Sequence, residues 1–169
     1  MIDLVYVTYN SEKWIEQCFA SLLSSNYDLK QINVFVVDNA STDMTVDILQ
    51  NKKTHMQDAL ASFHIIRNQD NTGFGKANNI GFSQGSSEFV CFFNIDTELF
   101  EDTLSVLTDT MLHAKEKTAL WELRQFPFEH PKMYDPVSLE TDWCSGAAFA
   151  VRRKVFSEVK GFDENLFMY

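Results

Sequence analysis

The feature that most constrains this chain is a repeated alternation of short apolar runs and helix-like segments. Apolar runs rich in β-branched residues occupy residues 2–8, 32–37, 63–66 and 88–93, and segments with helical spacing of apolar residues separate them. Short continuous apolar runs are typical of strands that are buried on both faces of a parallel sheet. The alternation therefore predicts an α/β fold in which helices flank a mostly parallel sheet.

The predicted strands run directly into polar loops before the next helix begins. These loops cover residues 8–11, 38–43 and 67–78. In open α/β sheets, ligands bind just beyond the carboxyl ends of the strands, so the loops form a candidate binding site. Serine, threonine and asparagine favour helix N-caps. The candidate caps are Asn10 or Ser11 for the first helix and Ser41 or Thr42 for the second.

The fourth apolar run ends abruptly in oxygen-bearing side chains: Asn94, Asp96 and Glu98. Every second side chain of an extended segment points to the same side, so the three would share a side if the chain stays extended. Such oxygens could hold a hard divalent cation whose remaining positions are filled by phosphate oxygens. From this stretch alone, an ordinary polar exit from a strand explains the residues equally well.

Size, composition and charge narrow the function classes. A chain of 169 residues with 45% hydrophobic content is long enough for one domain with a substantial core. The formal net charge of −10 argues against nucleic-acid binding through the phosphate backbone. The three cysteines form no CxxC pair, which disfavours a zinc site and fits a reducing compartment. The four histidines show no triad-like spacing, and no GxSxG elbow is present.

Two further motifs are ambiguous by themselves. The segment 73–78 superficially resembles a dinucleotide fingerprint, but its third glycine is missing and it follows the third strand. Glycines at a helix start still allow backbone N–H groups to approach a phosphate. Asp38 directly follows a strand, where its carboxylate could accept hydrogen bonds from a base or ribose. It could equally cap the amides of its own loop.

The last third of the chain changes character. Residues 117–141 hold all three prolines and predict an excursion or a weak hairpin, in which Trp121, Phe126, Phe128 and Tyr134 are expected to be buried. A strand is predicted over 143–151 and a short helix over 152–159. The sequence ends on the apolar residues 167–169, which favours a fragment over a natural terminus that tucks into the core.

Taken together, the motifs resemble those of family 2 glycosyltransferases, inverting nucleotide-sugar enzymes of the GT-A fold, and most closely the rhamnosyltransferase-like branch. The resemblance spans nearly the whole chain in five ordered stretches. They are Val7–Asn10, Val37–Asp43, Asn71–Gly81, Phe93–Thr97, and an acceptor-side segment made of Trp143–Ala148, Gly161–Glu164 and Phe167–Tyr169. The resemblance implies a single GT-A domain over 1–169, with a nucleotide-sugar-binding half at 1–100 and the start of an acceptor-side half at 101–169.

The resemblance also implies roles for the matching positions. Nucleotide-sugar contacts are expected from Thr8, Tyr9, Asn10, Asp38, Gly73, Phe74, Asn78, Asn94 and Asp96. Asp96 would ligate Mg²⁺ or Mn²⁺ as the last acid of a DxD-like motif, and Asn94 replaces the first acid. Trp143, Ser145 and Gly146 would face the donor sugar and the acceptor. In the family, an acidic pair soon after the Phe-Met-Tyr segment supplies the general base, so the base is expected after Tyr169 and the chain is expected to transfer slowly or not at all.

The expected partners are a UDP- or dTDP-linked sugar and a saccharide or lipid-linked acceptor. The expected location is the cytoplasm, with peripheral association at the inner face of the membrane as a further option; oligomeric state stays open. A non-catalytic nucleotide-sugar-binding or interaction module of the same fold is the alternative. A nucleotidyltransferase ranks last, because such an enzyme needs a glycine-rich basic loop after its first strand and residues 8–11 are neither.

Overall fold

The computed structural model describes residues 1–129 and 131–167, and within them one six-stranded sheet carries helices on both faces. The elements in chain order are β1 (Ile2–Thr8), α1 (Glu12–Leu23), β2 (Ile32–Asp38), α2 (Thr45–Met56), β3 (Ser62–Arg67), α3 (Phe74–Gln84), β4 (Phe89–Asn94), α4 (Thr103–His113), β5 (Leu120–Glu122), β6 (Ala148–Arg152) and α5 (Arg153–Glu158). His130, Met168 and Tyr169 lie outside the described residues. No helix in the described part is long and apolar enough to cross a membrane.

The sheet is mixed, in the order β3-β2-β1-β4-β6-β5. Strands β1 to β4 are mutually parallel, whereas β6 pairs antiparallel with both β4 and β5. The predicted α/β fold with a mostly parallel mixed sheet is thus confirmed. Because β6 runs backwards, the loop that enters it lies beside the exit of β4, where Asn94 N donates to Ala147 O at 2.8 Å.

Two hydrophobic layers sandwich the sheet because side chains alternate along each strand. In β1, Leu4 and Tyr6 face a large cluster that includes buried residues of α1, α2 and α4. Val5 faces the opposite way, into a smaller cluster rich in phenylalanine that includes Phe156 of α5. The strands are therefore apolar at nearly every position, as the sequence predicted, since both faces are covered.

The predicted helix caps were wrong at α2. This helix begins at Thr45, and neither Ser41 nor Thr42 caps it. Ser41 instead binds the Asp38 carboxylate, and the backbone N–H of Thr42 donates to Asn10 Oδ1 at 2.9 Å. These bonds tie the β2–α2 loop to the β1–α1 loop and delay the helix by several residues.

Helix α1 departs from its predicted cap in the same way. Ser11 holds the N-cap position but makes no side-chain capping bond. The Ser11 hydroxyl accepts from Tyr9 N at 3.1 Å, and the Ser11 N–H donates to Thr45 Oγ1 at 2.7 Å. The Ser11 side chain therefore fixes its own loop, and its backbone N–H is bound by the Thr45 side chain at the start of α2.

The predicted burial of the aromatic residues in 117–141 was mostly wrong. Trp121 packs against the large cluster, but Phe126 and Phe128 are 79% and 87% exposed and Tyr134 is 39% exposed. Among its described residues, the segment contributes the three-residue β5 to the sheet. At the predicted weak hairpin, an antiparallel bridge pairs Tyr134 with Thr141, and Asp135 N donates to Glu140 O at 2.9 Å. The following strand begins at Ala148, five residues later than predicted.

Candidate active site

A cavity of about 470 Å³ lies beyond the carboxyl ends of β1, β2 and β4. The loops that follow these strands converge there because the parallel strands all end at one edge of the sheet. Six of the nine residues predicted to contact a nucleotide sugar line the cavity: Tyr9, Asn10, Gly73, Phe74, Asn94 and Asp96. Its other lining residues are Val7, Ser11, Trp14, Asn39, Asn71, Ile95 and Phe167.

The remaining three predicted residues, Thr8, Asp38 and Asn78, are buried behind the wall of the cavity. Asp38 accepts from Thr8 Oγ1 at 3.0 Å, from Ser41 Oγ at 2.5 Å and from Ser41 N at 3.1 Å. The carboxylate thus caps its own loop, which was one of the two roles open to it from sequence. Binding of a base by Asp38 stays a prediction.

The start of α3 forms one wall of the cavity. Gly73 has a φ of +81°, and an added Cβ would lie 2.5 Å from the backbone oxygen of Phe167. That oxygen accepts from Phe74 N at 3.1 Å, so residue 73 must be a glycine for the segment around Phe167 to approach. Asn78 supports the same turn from behind, because its Nδ2 donates to Phe74 O at 3.1 Å.

Asn39 is the residue of the site that sequence analysis missed. It is 2% exposed, and its Nδ2 donates to Gly73 O at 3.1 Å. Its Oδ1 accepts from Asn68 Nδ2 at 2.8 Å and from Thr72 Oγ1 at 3.2 Å. Asn39 therefore joins the loop after β2 (the β2 loop, residues 39–44) to the loop before α3 (the glycine loop, residues 68–73). Its position directly after Asp38, within a stretch already singled out, was the available signal.

The exit of β4 carries the three oxygen-bearing side chains that were predicted as candidate metal ligands, Asn94, Asp96 and Glu98. The chain turns at once, because Thr97 N and Thr97 Oγ1 both donate to Asn94 O, at 3.2 and 2.7 Å. Asn94, Asp96 and Glu98 therefore do not lie along one extended side, and Glu98 does not line this cavity. Among the described residues, no group of three or more metal-binding side chains occurs.

Asp96 and Asn94 nevertheless fit a cation that is shared with a diphosphate. Asp96 is an exposed carboxylate on the cavity wall, and the half-buried Asn94 offers an amide oxygen. Magnesium commonly binds through one or two carboxylates plus substrate phosphates and water, so a sparse set of protein ligands suffices.

A second cavity of about 1090 Å³ opens on the other side of Asn94 and Asp96, and both residues line it too. Helix α4 forms one wall, and β5 with the following residues forms the other. Among its further lining residues are Glu98, Phe100, Asp102, Val106, Trp121, Glu122, Arg124, Gln125, Phe126, Phe128, Ala147 and Ala148.

The three predicted acceptor-side residues, Trp143, Ser145 and Gly146, do not line either cavity, although Ala147 next to them does. Two residues that line the second cavity bind Ser145. The Ser145 N–H donates to Glu122 Oε1 at 3.0 Å, and its hydroxyl accepts from Gln125 Nε2 at 2.8 Å. Lys132 forms an ion pair with Glu122 and lies 4.1 Å from the centre of the Trp143 ring. The predicted contacts of these residues with donor sugar and acceptor stay predictions.

Burial disfavours the nucleophilic thiolate form of all three cysteines. Burial raises the pKa of the Cys144 thiol to about 11, with the nearby Glu122 carboxylate as a smaller cause. Burial likewise raises the pKa of Cys18 to about 12 and that of Cys91 further still. All three are free thiols, and at neutral pH they stay protonated.

Comparison with known proteins agrees with the geometry. A poly(ribitol-phosphate) β-N-acetylglucosaminyltransferase, TarS, from Staphylococcus aureus is 30% identical over 103 residues, which are 60% of this chain and 17% of that protein. A GalNAc(5)-diNAcBac-PP-undecaprenol β-1,3-glucosyltransferase from Campylobacter jejuni is 30% identical over 106 residues, 63% of this chain and 33% of that protein.

Solved structures show the same fold. TarS 1-349 from S. aureus in complex with UDP superposes with a TM-score of 0.78 at 21% identity, covering 98% of this chain and 51% of that one. The mannosyltransferase PcManGT from Pyrobaculum calidifontis, in complex with GDP-Man and Mn²⁺, gives a TM-score of 0.80 at 18% identity, covering 98% and 48%. The chain thus spans about half of these solved chains and a third or less of the two curated relatives.

Residues 3–160 match the family described as "Glycosyl transferase family 2". This match covers nearly the whole chain and includes every lining residue of both cavities except Phe167. The chain belongs to glycosyl transferase family 2 and has its GT-A fold.

Proposed function

We propose that this chain binds a nucleotide-diphosphate sugar in the first cavity and forms the donor-binding part of an inverting, metal-assisted glycosyltransferase. The observation that carries the proposal is the shared position of Asn94 and Asp96, which line both cavities. A donor diphosphate at this position has its sugar directed toward the second cavity, where an acceptor hydroxyl can approach from the opposite face.

The side chains around the first cavity suit the parts of such a donor. Tyr9 and Trp14 are 51% and 39% exposed and offer aromatic faces to a base. Asp96 and Asn94 would hold Mg²⁺ or Mn²⁺, which neutralises charge on the departing nucleoside diphosphate. The glycine loop and Asn39 fix the wall against which the diphosphate lies. These placements support the proposed nucleotide-sugar contacts of the six lining residues. Thr8, Asp38 and Asn78 are part of the same proposal, although they lie behind the wall.

Inversion requires a carboxylate that takes the proton of the acceptor hydroxyl during attack. We place this general base after Tyr169, in keeping with the family resemblance of the preceding residues.

The finer assignments are part of the same proposal. The donor base is uracil or thymine, the acceptor is a saccharide or a lipid-linked saccharide, and the branch is rhamnosyltransferase-like. The reaction takes place in the cytoplasm, at the inner face of the membrane where a lipid-linked acceptor is presented. The name of the Campylobacter jejuni relative, which includes an undecaprenol-linked glycan, supports an acceptor of this kind.

The test is a calorimetric titration of UDP and dTDP into the chain, with and without Mn²⁺. We expect binding that strengthens about tenfold or more with metal, and we expect Asp96→Ala to abolish this metal dependence because the carboxylate ligand is lost. Asp70→Ala is the matched control, since Asp70 is an exposed acid outside both cavities.

Three results would count against the proposal. Absence of nucleotide binding under every condition favours the interaction module over the glycosyltransferase. Binding that Mn²⁺ does not strengthen, or that Asp96→Ala leaves unchanged, removes the role of Asp96. Sugar transfer by the 169-residue chain at the rate of a longer version would show that the base does not lie after Tyr169.

A further inference from the structure

The second cavity is an open groove whose walls are mainly apolar and aromatic. Val106 and Leu107 of α4 face Trp121, Leu123 and the residues that follow β5. Phe100 and Phe126 meet across the groove, with ring centres 6.2 Å apart in an edge-to-face arrangement. Phe100, Phe126 and Phe128 are 65%, 79% and 87% exposed, so their faces are available to a ligand.

The charges that line this groove are unequal in sign. Its ionisable lining residues are Asp96, Glu98, Asp102, Glu122 and Arg124. Two of them are already neutralised by partners that do not line the groove. Glu122 pairs with Lys132, and Arg124 pairs with Glu129 at 2.9 Å. The charged lining residues that have no such partner are therefore all carboxylates.

Asp96, Glu98 and Asp102 are all exposed, and none of them has an ion-pair partner among the described residues. A divalent cation on Asp96 would offset that one carboxylate and leave Glu98 and Asp102 facing the groove. These two carboxylates would repel a polyanionic ligand that lies in the groove. The net charge of −10 on the whole chain adds to this repulsion.

We propose that the second cavity binds an uncharged saccharide as acceptor, whose apolar ring faces lie on Phe100, Phe126 and Phe128, and that it disfavours acceptors with a phosphate or carboxylate in each repeat. The inference rests on the proposed function, because it names the acceptor class of the same site. Aromatic side chains recognise the C–H faces of pyranose rings, while the two free carboxylates accept hydrogen bonds from sugar hydroxyls.

The test measures binding rather than transfer, so it uses the 169-residue chain as it is. Saturation-transfer NMR and calorimetry would compare neutral tetramers of N-acetylglucosamine, glucose and mannose with a hyaluronan tetramer and a ribitol-phosphate tetramer. Hyaluronan matches the N-acetylglucosamine tetramer closely in shape and carries carboxylates on alternate sugars. We expect at least one neutral tetramer to bind about tenfold or more tightly than either anion at low salt.

Three variants test whether the preference for neutral tetramers arises in the groove. Phe126→Ala and Phe128→Ala each should weaken the neutral tetramer about threefold to tenfold, because an exposed stacking face is removed without a core being disturbed. Glu98→Lys should strengthen the anionic tetramers about fivefold or more, and this gain should shrink as salt is raised. Glu158→Lys is the matched control, since Glu158 is an exposed acid on α5, away from the groove.

The outcomes are decisive in both directions. A neutral tetramer that binds and is weakened by Phe126→Ala or Phe128→Ala supports the proposal. Anions that bind as well as neutral tetramers, or a panel in which no neutral tetramer binds, overturn it. Metal-dependent binding of UDP or dTDP is measured separately on the same sample, so the donor site can stand while this proposal on the acceptor falls.

Discussion

Single residues at the site act mainly by fixing loops, and Asn39 shows how much one buried amide can organise. It connects the β2 loop, Asn68, Thr72 and the glycine loop, although its side chain is almost fully buried. Buried amides that use both the N–H and the carbonyl oxygen leave several groups without partners when they are removed. Its contribution should appear both in stability and in donor binding.

We expect Asn39→Ala to lower the free energy of unfolding by about 1–3 kcal/mol, because Gly73 O and the Thr72 hydroxyl lose a buried partner. Nucleotide binding should weaken as well, since the glycine loop is no longer fixed. Urea denaturation and UDP titration would measure the two effects. Asn51→Ala, at an exposed position on α2, is the matched control and should change neither. An Asn39→Ala chain with the same free energy of unfolding as the parent would show that the hydrogen bonds of Asn39 do not stabilise the fold.

Residue identity also explains which of the predicted site residues line the cavity. Polar residues directly after a strand were correctly expected near one edge of the sheet, and six of the nine donor-site candidates line the cavity. Sequence could not tell which carboxylates would point into the cavity. Asp38 and Asp96 each follow a strand, yet Asp38 is enclosed by Thr8 and Ser41 whereas Asp96 is exposed.

At the scale of elements, the Asp43 carboxylate accepts hydrogen bonds from both neighbouring helix starts, α1 and α2, and adds to the other bonds between them. Asp43 Oδ1 accepts from Thr45 N at 3.0 Å, and its Oδ2 accepts from Glu12 N at 3.3 Å. Burial works to raise the pKa of Asp43, but the hydrogen bonds from Thr45 and Glu12 outweigh it and hold the pKa below the ordinary value of 3.8. The ionised form is therefore the one that stabilises the fold.

Asp43→Ala should cost about 1 kcal/mol at pH 7, in line with the loss of a carboxylate at helix starts. The sign of the pH dependence follows from the lowered pKa. The contribution is complete above the unfolded-state pKa and is lost as pH falls through the folded-state pKa, so parent and variant should converge in acid. Urea denaturation between pH 7 and pH 3 would measure this.

A control at Asp47 separates the hydrogen bonds of Asp43 from general charge effects. Asp47 also lies in the first turn of α2, but it is exposed. Asp47→Ala should lose only the weak interaction with the helix dipole, about 0.5 kcal/mol. A difference between Asp43→Ala and the parent that stays constant down to pH 3 would contradict the role of the ionised carboxylate.

The strands and helices were more predictable than their ends. Apolar runs located all four parallel strands. In β1, β2 and β4 burial on both faces imposes an apolar residue at nearly every position, whereas the edge strand β3 is only partly buried. The start of α2 was missed because Ser41 and Thr42 found partners in other loops, which local propensity cannot indicate. The aromatics at 126 and 128 were expected to be buried because apolar character suggests a core, yet a folded surface also carries much apolar area.

At the scale of the whole molecule, a buried ion pair joins the first strand to the last helix. Asp3 is fully buried in β1 and accepts from Arg153 Nη2 at 2.6 Å, from Ser87 N at 3.0 Å and from Asn33 Nδ2 at 2.9 Å. Sequence analysis did not single out Asp3, although a charge inside an apolar strand was the signal. Partners 150 positions apart cannot be read from local patterns.

Arg153→Met should lower the free energy of unfolding by about 3 kcal/mol, because Asp3 keeps its buried charge and loses the opposite one. Glu88→Gln is the matched control, since it breaks the neighbouring Arg152–Glu88 pair, whose glutamate side chain is 68% exposed. That surface pair should contribute at most about 1 kcal/mol. Chemical denaturation compares the two, and equal losses would show that burial of the pair does not matter.

The reversal of strand direction at β6 has a consequence for how this molecule can diversify. The described residues of the segment 115–147 meet the rest of the sheet mainly through β5 pairing with β6, through Trp121 packed on Phe89 of β4 and through Ala147 beside Asn94. They build one wall of the second cavity, and none of them lines the first. The segment therefore behaves as an exchangeable module: swapping it between relatives should transfer the choice of acceptor while the preference for nucleotide stays with the remainder.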